Sequence, residues 1–418
     1  MGEGLGILFK LKIVTCLLTF MYLTYLLSSF MKFFRIFFRI FFIFFILTNS
    51  SCNHRSQNLL NKDATYIVDL DVEKKDTLYY STLFKSVKCI PLETSDNSLI
   101  GEIDKMLIFE DFIFILDASK AKTLFVFDKK GLFIRKIGNI GNGPGEYVRI
   151  VDFAIDTDKK EIIIVDDLRK MMFYDIFTGK FIKTVFIAHF PISSVQYFNG
   201  MIYADLYNHP QAPDDCLMQT IDLSTGEKKD DFLNKMEYSD GYNEIFRVDV
   251  PSFISSMKPP FLFRQPFMDT FVALTSNGVK PFLTIKSEDF VSGKDVEGFD
   301  IKKMSSRNKN LIYSIHSYFS HDDYIHFTYR SEFSQSVIYD TVLKKALIYN
   351  YTNNDMVYQN NSQLNLRSIY FDESGIYDCV HAMMMGSFLR FIREDKVKDA
   401  IKEQLKELNF NSNPVLLL

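Results

Sequence analysis

Residues 138–156 read Gly-Asn-Ile-Gly-Asn-Gly-Pro-Gly-Glu-Tyr-Val-Arg-Ile-Val-Asp-Phe-Ala-Ile-Asp, a turn of four glycines and a proline between two strand-like runs. The run before it spans Leu132 to Ile137 and is entered through Asp128-Lys129-Lys130-Gly131. The run after it spans Ile150 to Ile155. Further strand-like runs follow at Glu161 to Val165 and Met171 to Tyr174, then a turn at Thr178-Gly179. Short strands broken by turns about every ten residues imply an all-β sandwich, barrel or propeller. This pattern speaks to architecture more than to a ligand.

The chain has 418 residues with 42 Phe, 22 Tyr and no Trp. β-branched and aromatic residues suit half-buried pleated surfaces. A propeller or barrel can use this length as one domain. The formal charge of −4, without a long basic block beyond the N-terminus, argues against a nucleic-acid partner.

The order of parts resembles blades of NHL-type β-propellers: a glycine turn, a strand, a strand ending in Asp, then a strand ending Phe-Asp or Tyr-Asp before a glycine. Here they are Gly143-Pro144-Gly145-Glu146-Tyr147, Val151–Ile155, Ile162–Asp166, Phe173-Tyr174-Asp175 and Gly179. An earlier unit repeats the order with Phe112–Leu116 before Asp117, Leu124–Phe127 before Asp128, and Gly131. More narrowly, the chain resembles six-bladed β-propeller lipoproteins of Bacteroidales. It shares their glycine turn, an early Ile90-Pro-Leu-Glu-Thr94 and a late Asn413-Pro-Val-Leu416. The resemblance implies a six-bladed propeller with a short C-terminal helix, behind a signal or lipoprotein leader.

Residues 1–51 read as that leader, 52–64 as a polar tether and 65–418 as the propeller. Residues 11–30 are mostly apolar. Met31-Lys32 then opens a Phe/Ile/Leu run interrupted by Arg35 and Arg39, a signal-peptide pattern that makes Met31 a candidate start alongside Met1. A membrane hairpin is the competing reading, at the cost of two arginines in hydrocarbon. Small residues before Cys52 resemble a lipobox, although Asn49 stands where an aliphatic residue is usual. Lipidation of Cys52 would anchor the chain to a membrane. The resemblance places such a protein at the outer membrane, on its periplasmic or external face. Cys89, Cys216 and Cys379 are odd in number and widely spaced, which argues against a disulfide framework.

The expected blades begin at 83–137, 148–187 and 190–235, with Thr65–Leu70 as the strand that closes the ring on the last blade. The fourth blade is blurred by a long insertion. Pro414 to Leu418 is expected as a strand of blade six. Glu394 to Leu408 has helical apolar spacing and is expected as a helix on the side or bottom of the propeller.

Gly138, Gly141 and Gly143 lack the Lys-Ser/Thr and helix of a phosphate loop. Gly141, Gly143, Pro144, Gly145 and Glu146 are therefore read as a structural turn, with Glu146 accepting from turn amides. His316, His321 and His326 alternate faces on strands and do not predict a metal site, and no Asp-rich calcium loop is present. Asp117 and Asp166 end strands, where a carboxylate either caps the turn or meets a ligand. In blade four, Phe261, Phe263 and Arg264 form either an aromatic platform with a cationic handle or a satellite core. No nucleophile pair stands out. The expectation is a non-catalytic binding or scaffold propeller for a glycan, peptide or protein, without a cofactor. The alternative is a propeller enzyme of lyase or lactonase type with an axial metal.

Overall fold

Strand Glu161–Asp166 shows why these residues make a propeller. In this computed structural model every residue from Ile162 to Asp166 is buried. Ile162 and Ile164 pack into one hydrophobic layer, Ile163 and Val165 into the next. A sheet covered on both faces needs continuous apolar strands, not alternating ones. The outer strand Phe181–Phe186 of the same sheet has no fully buried residue. This sheet thus runs from buried inner strands to a solvent-facing outer one.

The structure describes residues 64–188, 191–206, 216–234, 252–276, 278–291, 311–312, 314–330, 334–358, 368–393, 395 and 399–418. The leader, Met31, Cys52 and nearly all of the tether lie outside the described residues. The described residues form six blades. Blade one comprises Lys105–Phe109, Phe112–Asp117, Thr123–Asp128 and Phe133–Ile137. Blade two comprises Ile150–Asp156, Glu161–Asp166, Lys170–Asp175 and Phe181–Phe186. Blade three comprises Ser194–Phe198, Met201–Asp205, Cys216–Asp222 and Lys228–Asn234. Blade four comprises Leu262–Phe263, Thr270–Thr275 and Gly278–Lys286, with Phe253 bridged to Phe263 on the inner side. Blade five comprises Ser314–His321, Tyr324–Arg330, Ser334–Asp340 and Lys345–Asn353. Blade six comprises Tyr370–Asp372, Gly375–Val380 and Val415–Leu417, completed by Cys89–Pro91.

The third strands of four blades end in Asp, at Asp128, Asp175, Asp222 and Asp340. Each accepts backbone amides of the following turn through Oδ1, for example Lys130, Thr178, Ser224 and Val342. The turns in the first three of these blades reach positive φ at Gly131, Gly179 and Gly226, and the blade-five turn does so at Lys344. A carboxylate that satisfies turn amides and a residue that tolerates positive φ make this hairpin locally self-specified.

Ring closure corrects the sequence expectation. Tyr66–Asp69 does not join blade six; it runs parallel along Gly278–Lys286 at the outer edge of blade four. Lys74–Tyr79 then runs parallel along Lys345–Asn353 of blade five. Only the third segment, Cys89–Pro91, closes the ring, antiparallel to Val415–Leu417. The N-terminal chain thus gives one outer strand to each of three successive blades. Pro91 is tolerated because the closing strand is an edge strand. Blade one accordingly begins at Lys105, not near residue 83.

Asn413 clasps this closure. Its Oδ1 accepts the Ile100 amide at 2.8 Å, and its Nδ2 donates to the carbonyls of Glu93 and Ser98 at 2.7 Å each. The Asn413 amide donates to Thr94 Oγ1. Glu93 in turn accepts the Phe133 amide and donates its own amide to the Gly131 carbonyl of blade one. The two sequence motifs at opposite ends of the chain are therefore partners in closing the ring.

Between the second and third strands of blade six lie two helices, α1 (Met385–Phe391) and α2 (Asp399–Lys406). Met385, Phe388 and Leu405 pack with Cys89, Val380, Val415 and Leu417 on one side of blade six. The expected helix is thus present on the side of the propeller, and α1 was not anticipated. Among the described residues no helix is long and apolar enough to cross a membrane.

Candidate binding face

The blade topology sorts the connections between two faces. Hairpins joining first to second and third to fourth strands lie on one face, and among complete four-stranded blades they are tight. Connections joining second to third strands, and one blade to the next, lie on the other. That face carries the glycine turn and the two helices.

The glycine turn is welded to the wall of blades one and two. Asn139–Ile140 pairs with Glu146–Tyr147. Glu146 Oε2 accepts the Gly143 amide at 2.7 Å, and the Gly141 amide donates to the Tyr147 carbonyl. Tyr147 is buried, and Tyr174 donates its hydroxyl to the Gly145 carbonyl. Gly145 has φ +72, and a Cβ there would meet the Phe181 ring. Gly143 and Gly141 do not have positive φ; a Cβ at Gly141 would overlap the Glu146 carboxylate, and one at Gly143 would crowd it. Pro144 sits exposed at the tip. The turn is a structural pin, and its glycines serve two different needs.

Asp117 and Asp166 are fully buried at the ends of second strands. Asp117 accepts four amides: Gly101 and Glu102 on Oδ2, Lys120 and Ala121 on Oδ1. Asp166 accepts Leu168, Lys170 and Val148. Each ties the turn after its strand to the segment entering the first strand of the same blade. Asp205 holds the same place in blade three, accepting Ser193 Oγ and the Gln265 side-chain amide. Asp117 and Asp166 cap turns, and Asp205 ties blade three to blade four.

The blade-four aromatics do not form an exposed platform. Phe263 and Phe261 lie in a core with Tyr203, Met218, Phe253 and Val272 between blades three and four. Arg264 is buried, with its guanidinium over the Phe271 ring and Nε donating to the Met268 carbonyl at 2.7 Å. Burial pulls its pKa down to about 9, with Asp269 opposing. Sequence reasoning left platform and satellite core open because Phe spacing in an irregular segment does not say which way rings turn. The structure turns them inward.

On the inner strands, Lys105 of blade one donates to Asp152 Oδ2 of blade two and to the carbonyls of Phe153 and Val195, each at 2.8 Å. Asp152 Oδ2 also accepts the Val195 amide. One buried ion pair thus joins three adjacent blades beside the axis, with side chains 10% and 6% exposed. Sequence reasoning missed it because nothing marks residues 47 positions apart as neighbours. Such a pair contributes little net stability but is costly to break.

The histidines do not converge. His326 is buried, stacked on Phe319 and bonded to Ser336 Oγ at 2.6 Å, while His321 is exposed beside Asp322. Among the described residues no group of three or more His, Cys, Asp or Glu is arranged to hold a metal ion.

The exposed side chains of this face over blades six, one and two are mixed, with Glu102, Lys120, Asn142, Arg149 and Asp167 exposed beside apolar groups. Leu99, Ile140, Val148, Leu168 and Met384 are exposed, and Met383 is 94% exposed. Arg149 forms a two-contact ion pair with Asp167 among them. Phe186 and Phe410 are exposed at its rim.

A protein from Bacteroides fragilis, named "Putative exported protein", has a similar structure: TM-score 0.62, 17% identity, 84% of this chain and 97% of that one covered. A member of the DUF4221 family from Bacteroides vulgatus aligns with TM-score 0.46 and 12% identity over 80% of this chain and 96% of its own. The first likeness supports the fold. No curated protein matches the chain. The model of a domain of unknown function, DUF4934, matches residues 65–418, and the chain belongs to that family.

Proposed function

We propose that the chain is an exported, lipid-anchored propeller of NHL-like blade type that binds a protein or peptide on the face that carries its glycine turn and two helices. The carrying observation is that this face exposes apolar side chains, Leu99, Ile140, Leu168 and Met383, in adjoining blades. Exposed apolar groups that adjoin one another mark interaction sites. Aliphatic and methionine side chains suit a protein partner better than a sugar ring, and Met adapts to irregular partner surfaces. A glycan held on Phe186 and Phe410 is the competing ligand class. Anchoring rests on the apolar run and small residues before Cys52, and an outer-membrane address rests on the lipoprotein resemblance.

The test is affinity capture with chemical crosslinking from envelope fractions, beside a glycan array, for wild type and an Ile140→Glu/Met383→Glu variant. A specific protein crosslinked to this face and lost in the variant is expected. Equal recovery by both proteins, or a glycan signal untouched by the variant, sinks the reading. In the same cells, Cys52→Ala should move the protein out of the membrane fraction, and retention would remove the lipid anchor.

A further inference from the structure

The second strands of blades one to three end in Asp, whereas that of blade six ends Asp378-Cys379-Val380 and continues into His381 with extended backbone. Cys379 and His381 lie two residues apart, so both side chains point to the same side of the extended backbone. Cys379 Sγ and His381 Nε2 are 3.1 Å apart, a direct thiol–imidazole hydrogen bond. Both residues are partly exposed. Cys89 and Cys216 form no disulfide and are buried. Burial raises the Cys89 thiol to about 11, which keeps it inert. Cys379 is thus the partly accessible thiol outside a disulfide among the described residues, and it has an imidazole at bonding distance.

We propose that Cys379 and His381 form a nucleophilic pair that undergoes exchange with low-molecular-weight disulfides. A thiolate is the attacking species, and an adjacent imidazole generates it near neutral pH. The thiol proton passes to His381. The sulfur bonds one sulfur of the disulfide, the S–S bond breaks, and the departing thiolate takes the proton from the imidazolium. The product is a mixed disulfide on Cys379 and one equivalent of small thiol. The site adjoins the exposed Met383 and Met384 of the face described above, yet its chemistry does not depend on any partner there.

The full chain is incubated with oxidised glutathione, and modification is mapped by peptide mass spectrometry. Glutathione is expected on Cys379 ahead of Cys89 and Cys216. The His381→Ala variant is expected to react roughly tenfold more slowly near neutral pH, with the gap closing near pH 9, where the thiol ionises unaided. His381→Asn supplies the same comparison if the Ala variant does not fold. Modification of Cys379 no faster than Cys89, or a rate–pH profile unchanged in both variants, overturns the proposal.

Discussion

At the scale of single residues, buried polar groups decide the costs. His326 sits inside blade five, and burial lowers its pKa from 6.5 to about 4. The unfolded chain therefore binds a proton that the folded one refuses between those values. This contribution is complete above the ordinary histidine pKa and is lost as pH falls through the window. The loss reaches about 3 kcal/mol near pH 4. Urea unfolding of wild type and His326→Asn across this range should show a stability slope that the variant lacks. Parallel slopes would mean that the ring is not held neutral. Lys105 and Asp152 are buried polar groups of the same kind: each is tolerated because the other, and three blades of backbone, satisfy it.

At the scale of elements, the closing strand is only three residues long, Cys89–Pro91, and ring closure relies on what surrounds it. The Asn413 side chain makes three hydrogen bonds at 2.7–2.8 Å to segments near that strand and is fully buried. Asn413→Ala leaves the Ile100 amide and the Ser98 carbonyl without their partner, while the Glu93 carbonyl keeps the Ser98 hydroxyl. Each orphaned buried group costs about 1–3 kcal/mol, so the variant should lose at least about 2 kcal/mol in denaturant unfolding. A loss under about 1 kcal/mol would show that water replaces the clasp. Gly145 belongs to this scale as well: its positive φ and the Phe181 ring leave no room for another residue.

At the scale of the whole molecule, the seams between blades are unequal. Blades six, one and two share one large core, and blades four and five share another. A small buried cluster of Tyr80 and Phe319, packed with Phe84, Met356, Phe371 and Ile376, joins segments of blades five and six. Two of its members, Tyr80 and Phe84, come from the N-terminal segment just before the closing strand. A chain starting at Tyr80 keeps the closure and should unfold in one transition at somewhat lower denaturant. A chain starting at Glu93 lacks the fourth strand of blade six and should lose cooperative unfolding. Identical unfolding curves for the two truncations would show that Cys89–Pro91 does not close the ring.

Much of the architecture was legible because each blade carries its own instructions. Apolar runs such as Ile162–Val165 specify strands buried on both faces, and the Asp-to-Gly hairpins at Asp128, Asp175 and Asp222 are set by local hydrogen bonds and positive φ. The spacing of apolar residues likewise marked helix α2, and Glu146 was legible as an acceptor within its own turn. What sequence left open was every choice between alternatives of equal local quality. Tyr66–Asp69 fits any exposed sheet edge, and only the assembled ring assigns it to blade four and closure to Cys89–Pro91. Phe261, Phe263 and Arg264 could face out or in, and packing against Tyr203 and Phe271 turned them in. Lys105 with Asp152 required distant segments to meet, and Cys379 with His381, though near in sequence, required an extended backbone at the end of a blade strand. Local physics selects strands and turns; the pairing of edges and the direction of side chains are fixed only when distant segments exclude water together.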